Sequence, residues 1–426
     1  MARYHANTAA GAGAGAAALA SEWAPRLPAV LQEVKGAVAG AARSGIEAGP
    51  TLYTGTAGVA FALARAARCD PGLLPLAARL AESAAGRGAA LRRRVAESVL
   101  DGQAGVAAVQ AIVTSAANPS APLDEPLSRF RACCAQAASA PGAGSDEVLY
   151  GRAGCVLGAL TLNKQLGRGA VDDATLGAIC AAMLASGRAL SARLGLAAGG
   201  GPPLFYTWPE GGGRGHPYLG AAHGLLGIVH ALLHCWDLLP SLDARARADA
   251  LATLDYALSL ESSVPGRGAA GGHWPVMARL GGLQEDAAGR EPVLVHWCHG
   301  SPGVAMTLCR AFEVTGDLKY LAAAVSAGQL VWERGLLTKG PGLCHGVSGN
   351  AYALLACWRA TRDPLWLARA QRFAVFIGEP GGGGGRGDWG APDHPASLFE
   401  GLGGALVLLS DLTADAEGAR FPFYEV

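Results

Sequence analysis

Two short strings late in the chain carry the residue types best suited to chemistry, Trp297-Cys298-His299-Gly300 and Leu343-Cys344-His345-Gly346. Each sets a thiol beside an imidazole, and thiolate and imidazole are the soft and borderline donors that suit Zn²⁺. The strings do not have zinc-finger spacing, so tertiary structure would have to gather the ligands. A cage of all four donors would be closed and structural, whereas three donors would leave a coordination position for a substrate. Spacing alone leaves both readings open.

The elements that must position these strings follow from a repeat. A Gly-x-x-Gly pattern followed by an uncharged apolar run occurs seven times, starting at Gly55, Gly102, Gly151, Gly224, Gly300, Gly346 and Gly401. The intervals of 47, 49, 73, 76, 46 and 55 residues suit a helical hairpin per repeat, and the two longest leave room for inserted loops. Runs such as 59–64, 106–113, 228–233 and 405–409 are apolar nearly all round, which predicts helices buried on every side. Between them, 73–85, 244–260, 319–333 and 366–376 are amphipathic and predict outer helices. Alternating strand patterns are nearly absent. The expected fold is all-α, an α/α toroid of seven inner and seven outer helices. The paired glycines are expected to allow positive φ and close backbone approach at each loop-to-helix junction.

The residue before the first glycine then occupies an equivalent place in every repeat: Thr54, Asp101, Tyr150, His223, His299, His345 and Glu400. All seven are polar. A polar ring at one end of an apolar barrel marks a candidate site, because buried polar groups are costly unless paired or used.

Composition bounds the rest. The 426 residues are 51% hydrophobic and 16% charged, with 34 basic against 34 acidic side chains, so a large core is available. Without net positive charge, nucleic acid is not an expected partner. Ten cysteines in so long a chain fit a reduced, cytoplasmic setting. Cys69, Cys133, Cys134, Cys155, Cys180, Cys235, Cys309 and Cys357 fall in or near helical runs and are expected as small buried hydrophobes. Residues 219–236, the most apolar stretch, carry His223, His230 and His234 and read as a buried helix rather than a membrane span. The Ala/Gly tract near the N-terminus suggests a flexible arm over 1–20 before a single domain over 21–426. The glycine run at 381–387 reads as a flexible loop.

The motifs His296-Trp297-Cys298-His299-Gly300, Gly342-Leu343-Cys344-His345-Gly346, Gly220-Ala221-Ala222-His223-Gly224, Tyr150-Gly151-Arg152-Ala153-Gly154 and Ser397-Leu398-Phe399-Glu400-Gly401 together resemble the eukaryotic LanC-like proteins, relatives of bacterial lanthionine synthetase cyclases. The resemblance implies the same toroid and a zinc ion on Cys298, Cys344 and His345, with the fourth position left to water or a thiol. His299 then becomes a pocket residue on the glutathione side. It further implies that a glutathione thiol is activated as thiolate and added to dehydroalanine or dehydrobutyrine in a protein or peptide. His223, Glu147 and Tyr150 would serve proton transfer. Lys339, and Arg3 in an N-terminal Arg-x-x-x-Asn signature, would meet the glutathione carboxylates.

The chain departs from the pattern in three places. Glu147 stands where the bacterial cyclases have aspartate, Leu294 stands about where they have an arginine, and Gly390-Ala391-Pro392-Asp393 lacks the arginine that some members place before Pro-Asp. These departures support an alternative, a non-catalytic glutathione-binding or membrane-peripheral interaction protein. A glycosidase on the same toroid would need paired carboxylates, with Glu400 and Asp101 as candidates, and leaves the two Cys-His-Gly strings without a use.

Overall fold

The computed structural model describes residues 4, 5, 7, 15–45, 49–88, 91, 98–139, 145–167, 169–208, 215–262, 271–278, 293–379 and 394–426. Arg3 and the glycine run at 381–387 lie outside them.

Each of the seven glycine-led runs forms an inner helix: Thr56–Ala66, Gln103–Ala117, Arg152–Leu166, Leu225–His234, Ser301–Thr315, Val347–Thr361 and Leu402–Ala414. Consecutive inner helices touch, and the last returns to the first, closing the ring. Their all-round apolar character has the expected consequence: every residue from Leu225 to Leu233 is buried. The outer layer consists of Leu27–Ser44, Leu74–Gly88, Asp124–Ser139, Asp173–Arg193, Ala246–Ser259, Leu318–Arg334 and Pro364–Phe376. Among the described residues β-structure is limited to isolated bridges. Asp173–Arg193 is long and apolar enough to cross a membrane by length and composition, and here it packs on Asp124–Ser139 and Arg152–Leu166.

The inner helices start in an unusual way. None has a side-chain cap. Instead the N–H groups of Val347, Ser348 and Gly349 donate to the carbonyls of Gly340, Pro341 and Gly342, seven residues back, at 3.0, 3.3 and 3.3 Å. The same offset joins Thr56 to Gly49, Arg152 to Ser145, Leu225 to Tyr218 and Leu402 to Pro395. The preceding loop therefore satisfies amide donors that a helix start normally leaves orphaned. Loop backbone pressed this closely on the first turn leaves no space for a side chain at the second glycine. A Cβ at Gly349 would lie 1.8 Å from the Leu343 carbonyl oxygen, and one at Gly105 1.7 Å from that of Val99.

The expected positive φ appears only at Gly300, at 113°. The other six leading glycines are extended, with φ between −132° and −100°. Crowding, not handedness, is what selects glycine there. Gly349→Ala should accordingly cost about 1–3 kcal/mol, read as a lowered thermal midpoint, and an unchanged midpoint would contradict this reading.

The flexible arm expected over 1–20 is corrected in part. Ala16–Trp23 is helical, with Leu19 and Trp23 buried, and it packs on Pro364–Phe376. Ahead of it, Tyr4 bridges to Leu337, the His5 N–H donates to the Leu336 carbonyl at 2.6 Å, and Asn7 Nδ2 donates to the Trp332 carbonyl at 2.7 Å. Two large apolar side chains anchor a segment whose Ala/Gly composition suggested none. Of the eight cysteines outside the Cys-His-Gly strings, seven are buried as expected and Cys69 is exposed.

Candidate functional site

The site is built on a hoop of backbone. Two positions before each leading glycine stand Tyr53, Leu100, Leu149, Ala222, Cys298, Cys344 and Phe399. Their amides link loop to loop: Tyr53 N–H donates to Leu100 O (2.7 Å), Leu149 to Ala222 (3.2 Å), Ala222 to Cys298 (3.4 Å), Cys298 to Cys344 (3.3 Å), Cys344 to Phe399 (2.8 Å) and Phe399 to Tyr53 (3.1 Å). The Ser98 hydroxyl donates to Leu149 O at 2.6 Å and spans the remaining gap. Seven loops are thereby locked in register around the axis.

Cys298 and Cys344 hold the same place in adjacent repeats, so the hoop sets their sulfurs side by side. His345 follows directly. The ligand atoms of Cys298, Cys344 and His345 all lie within 4.8 Å of one another, and this is the one such group of metal-binding side chains among the described residues. His299 is not part of it, so the four-donor cage is not formed. Cys298 is 9% exposed and Cys344 5%. Two thiolates and one imidazole fit a soft or borderline divalent ion, zinc above all.

The electrostatics fit as well. The hydrogen bond with Cys344 lowers the Cys298 thiol pKa, against the effect of burial and with help from the Lys339 charge. The same bond raises Cys344, as do burial and the Cys298 charge, while its bond to Cys344 raises His345. Both thiols can ionise together only if a cation compensates them.

The ring of polar residues before the leading glycines is also observed. Thr54, Asp101, Tyr150, His223, His299, His345 and Glu400 are all half-buried. His223 Nδ1 lies 2.7 Å from Glu147 Oε2. The same carboxylate accepts from the Leu149 N–H at 2.9 Å and the Tyr150 N–H at 2.6 Å, so it is fixed before it meets the imidazole. Glu147 is 2% exposed. The Tyr150 ring stacks on His223 at 5.9 Å, and burial raises its hydroxyl pKa, as do the Asp101 and Glu147 charges. His299 lies 6.2 Å from His223, ring to ring, and burial pulls its pKa down to about 4, with His223, His296 and Lys339 acting in the same direction.

Lys339 is exposed on the loop that leads to Cys344, and its charge reaches Cys298, His299 and His345. Arg3 lies outside the described residues; its neighbour Tyr4 is bridged to Leu337, two residues from Lys339. Leu294, at the departure noted above, lines a cavity of about 130 Å³ with Tyr4, His296 and Arg334.

Sequence reasoning missed three aromatic residues here. Tyr53 shares the register of the two cysteines, and its half-buried phenol lies against Cys344, with its pKa raised by burial and by the nearby sulfurs. Reading the position two before each glycine would have found it. Trp208 and Tyr218 sit in an inserted stretch without periodicity, yet their rings lie 5.1 and 6.1 Å from His223.

The chain is similar to known proteins. Residues 47–426 match the family described as lanthionine synthetase C-like protein. Glutathione S-transferase LANCL1 of Danio rerio is 37% identical over 330 residues, covering 77% of this chain and 73% of the relative. LanC-like protein GCL1 of Arabidopsis thaliana is 34% identical over 396 residues, covering 91% and 83%. The solved structure of nisin cyclase is 17% identical with a TM-score of 0.64, over 90% of this chain and 93% of that one, and it shares the α/α toroid. With a closed ring of seven inner helices, paired Cys-His-Gly loops and these matches, the chain belongs to the lanthionine synthetase C-like family.

Proposed function

We propose that this protein is a zinc-dependent enzyme that adds the glutathione thiol to dehydroalanine- or dehydrobutyrine-type electrophiles in proteins or peptides, forming a thioether. The observation that carries the reading is that one mouth of the toroid holds both a two-sulfur, one-imidazole donor set and a carboxylate-oriented histidine. The name of the zebrafish relative, a glutathione S-transferase, points to the same thiol.

Cys298, Cys344 and His345 would hold the ion, which when bound lowers the pKa of a substrate thiol so that thiolate is present at neutral pH. Lys339 supplies a fixed positive charge for a glutathione carboxylate. The sulfur forms a bond to the β-carbon, the alkene π pair moves toward the carbonyl, and the α-carbon then takes a proton. Atoms balance as a simple addition, with no redox change.

His223 is the proton donor in this scheme. With Nδ1 engaged by Glu147, Nε2 is the ring nitrogen left for the substrate, and the carboxylate stabilises the imidazolium that must donate. Tyr150 holds the ring flat by stacking on it.

The test is a mixture of purified protein, glutathione and a dehydroalanine peptide, followed by mass spectrometry. The peptide should gain the mass of one glutathione. Glutathione bound without any gain above the uncatalysed rate would favour a binding role instead. In calorimetry, Lys339→Ala should weaken glutathione binding about tenfold, and unchanged affinity would remove the lysine from the tripeptide's site.

A further inference from the structure

The two longest intervals in the repeat flank one inner helix, Leu225–His234, whose preceding loop carries His223. Both insertions return to that loop. In the first, Trp208 and His216 exchange backbone hydrogen bonds at 2.8 and 2.9 Å, and Tyr218 bridges to Met277 of the second. The Ala278 N–H donates to Pro217 O at 2.7 Å and the Leu219 N–H to Val276 O at 3.0 Å, so the second insertion braces the first. What they present together is aromatic. Trp208 lies 6.3 Å from Tyr218, Trp208 is 5.1 Å from His223, and Tyr218 is 5.1 Å from His299. Both aromatic side chains are half-buried rather than sealed in the core.

The mouth is therefore lopsided. Around Cys344 stand the Lys339 charge, the metal-binding donors and the single ring of Tyr53, while around His223 stand the rings of Trp208, Tyr218 and Tyr150, the first two on a stretch joined by backbone hydrogen bonds to the described part of the second insertion. A dehydroamino acid in a peptide is a planar conjugated enamide, apolar on its faces, and flat apolar groups stack on aromatic rings. A free carboxylate is disfavoured against the electron-rich ring face.

We propose that Trp208 and Tyr218 form the binding wall for the electrophilic peptide, selecting a planar dehydro residue with apolar neighbours and setting its α-carbon beside His223. This rests on the function proposed above and adds to it the class of peptide accepted. Trp208 is here a specificity-determining residue that acts on binding, not on the thiol.

The test reads peptide binding apart from turnover. Calorimetry would use a short peptide with dehydroalanine between two leucines, the same peptide with aspartates in place of the leucines, and glutathione alone. Wild type should bind the leucine peptide, and bind the aspartate peptide about tenfold more weakly. Trp208→Ala should lose about tenfold in affinity for the leucine peptide with glutathione affinity unchanged, and Trp208→Phe should recover most of the loss. The phenylalanine variant keeps the test valid should alanine loosen the insertion. Equal affinity of wild type and Trp208→Ala, no leucine-peptide binding by wild type, or an equal loss in Trp208→Phe would overturn the wall. Product mass in the same samples reports separately on thioether formation, so that reading can fail while the wall stands.

Discussion

Cys344→Ala protein should fold, lose its metal and lose thioether formation by about a thousandfold, roughly 4 kcal/mol of barrier. The reason it should fold is specific to this chain. Cys344 contributes its N–H and carbonyl to the loop hoop, at 2.8 Å to Phe399 and 3.3 Å from Cys298, and alanine supplies both equally well. Only the sulfur goes. Circular dichroism and thermal melting of the metal-free forms should then agree between variant and wild type, while metal content and product mass diverge. Product formed at the wild-type rate by Cys344→Ala would remove the metal centre from the chemistry.

The second large effect falls on His223. His223→Ala leaves Cys298, Cys344, His345 and Lys339 in place, so metal content and glutathione affinity should hold while the rate of product formation drops by about 10²–10⁴. Glu147→Gln removes the charge and one of the two acceptor oxygens. The Leu149 and Tyr150 N–H groups meet Oε2 and Oε1 at 2.9 and 2.6 Å, so an amide can accept from only one of them, and it stabilises an imidazolium far less well. The turnover number should therefore fall in Glu147→Gln with little change in glutathione affinity. Loss of glutathione binding in His223→Ala would instead place the imidazole on the thiol substrate and contradict its role as proton donor.

Much of this was readable in the residues, and what was not has identifiable causes. Runs such as 228–233 are apolar nearly all round, a pattern that suits an enclosed helix, and so the inner ring was legible. The two Cys-His pairs were legible because thiol and imidazole recur at one register of that repeat, whereas the choice of Cys298, Cys344 and His345 over a set that includes His299 came from the family resemblance. The hoop beneath them was not. It is made of backbone, and the positions that make it hold tyrosine, leucine, alanine, cysteine and phenylalanine with no shared side-chain type. Tyr53 went unnoticed for the same reason.

Trp208 and Tyr218 escaped because an insertion has no period to read, and only its return to His223 gives it meaning. The helix Ala16–Trp23 was hidden by alanine and glycine, with Leu19 and Trp23 as its two buried anchors. The paired glycines were read as sites of positive φ and of close backbone approach; the close approach is observed, while six of the leading glycines are extended, because the constraint comes from a loop that touches them and not from their own dihedrals.

Zinc K-edge X-ray absorption on the purified protein, before and after glutathione, addresses the metal and its open position together. Without glutathione the spectrum should show two sulfurs at about 2.3 Å with nitrogen or oxygen at about 2.0 Å, and adding the tripeptide should raise the sulfur count to three. Protein free of metal, or a sulfur count that stays at two under saturating glutathione, would contradict a thiol-activating centre at Cys298, Cys344 and His345.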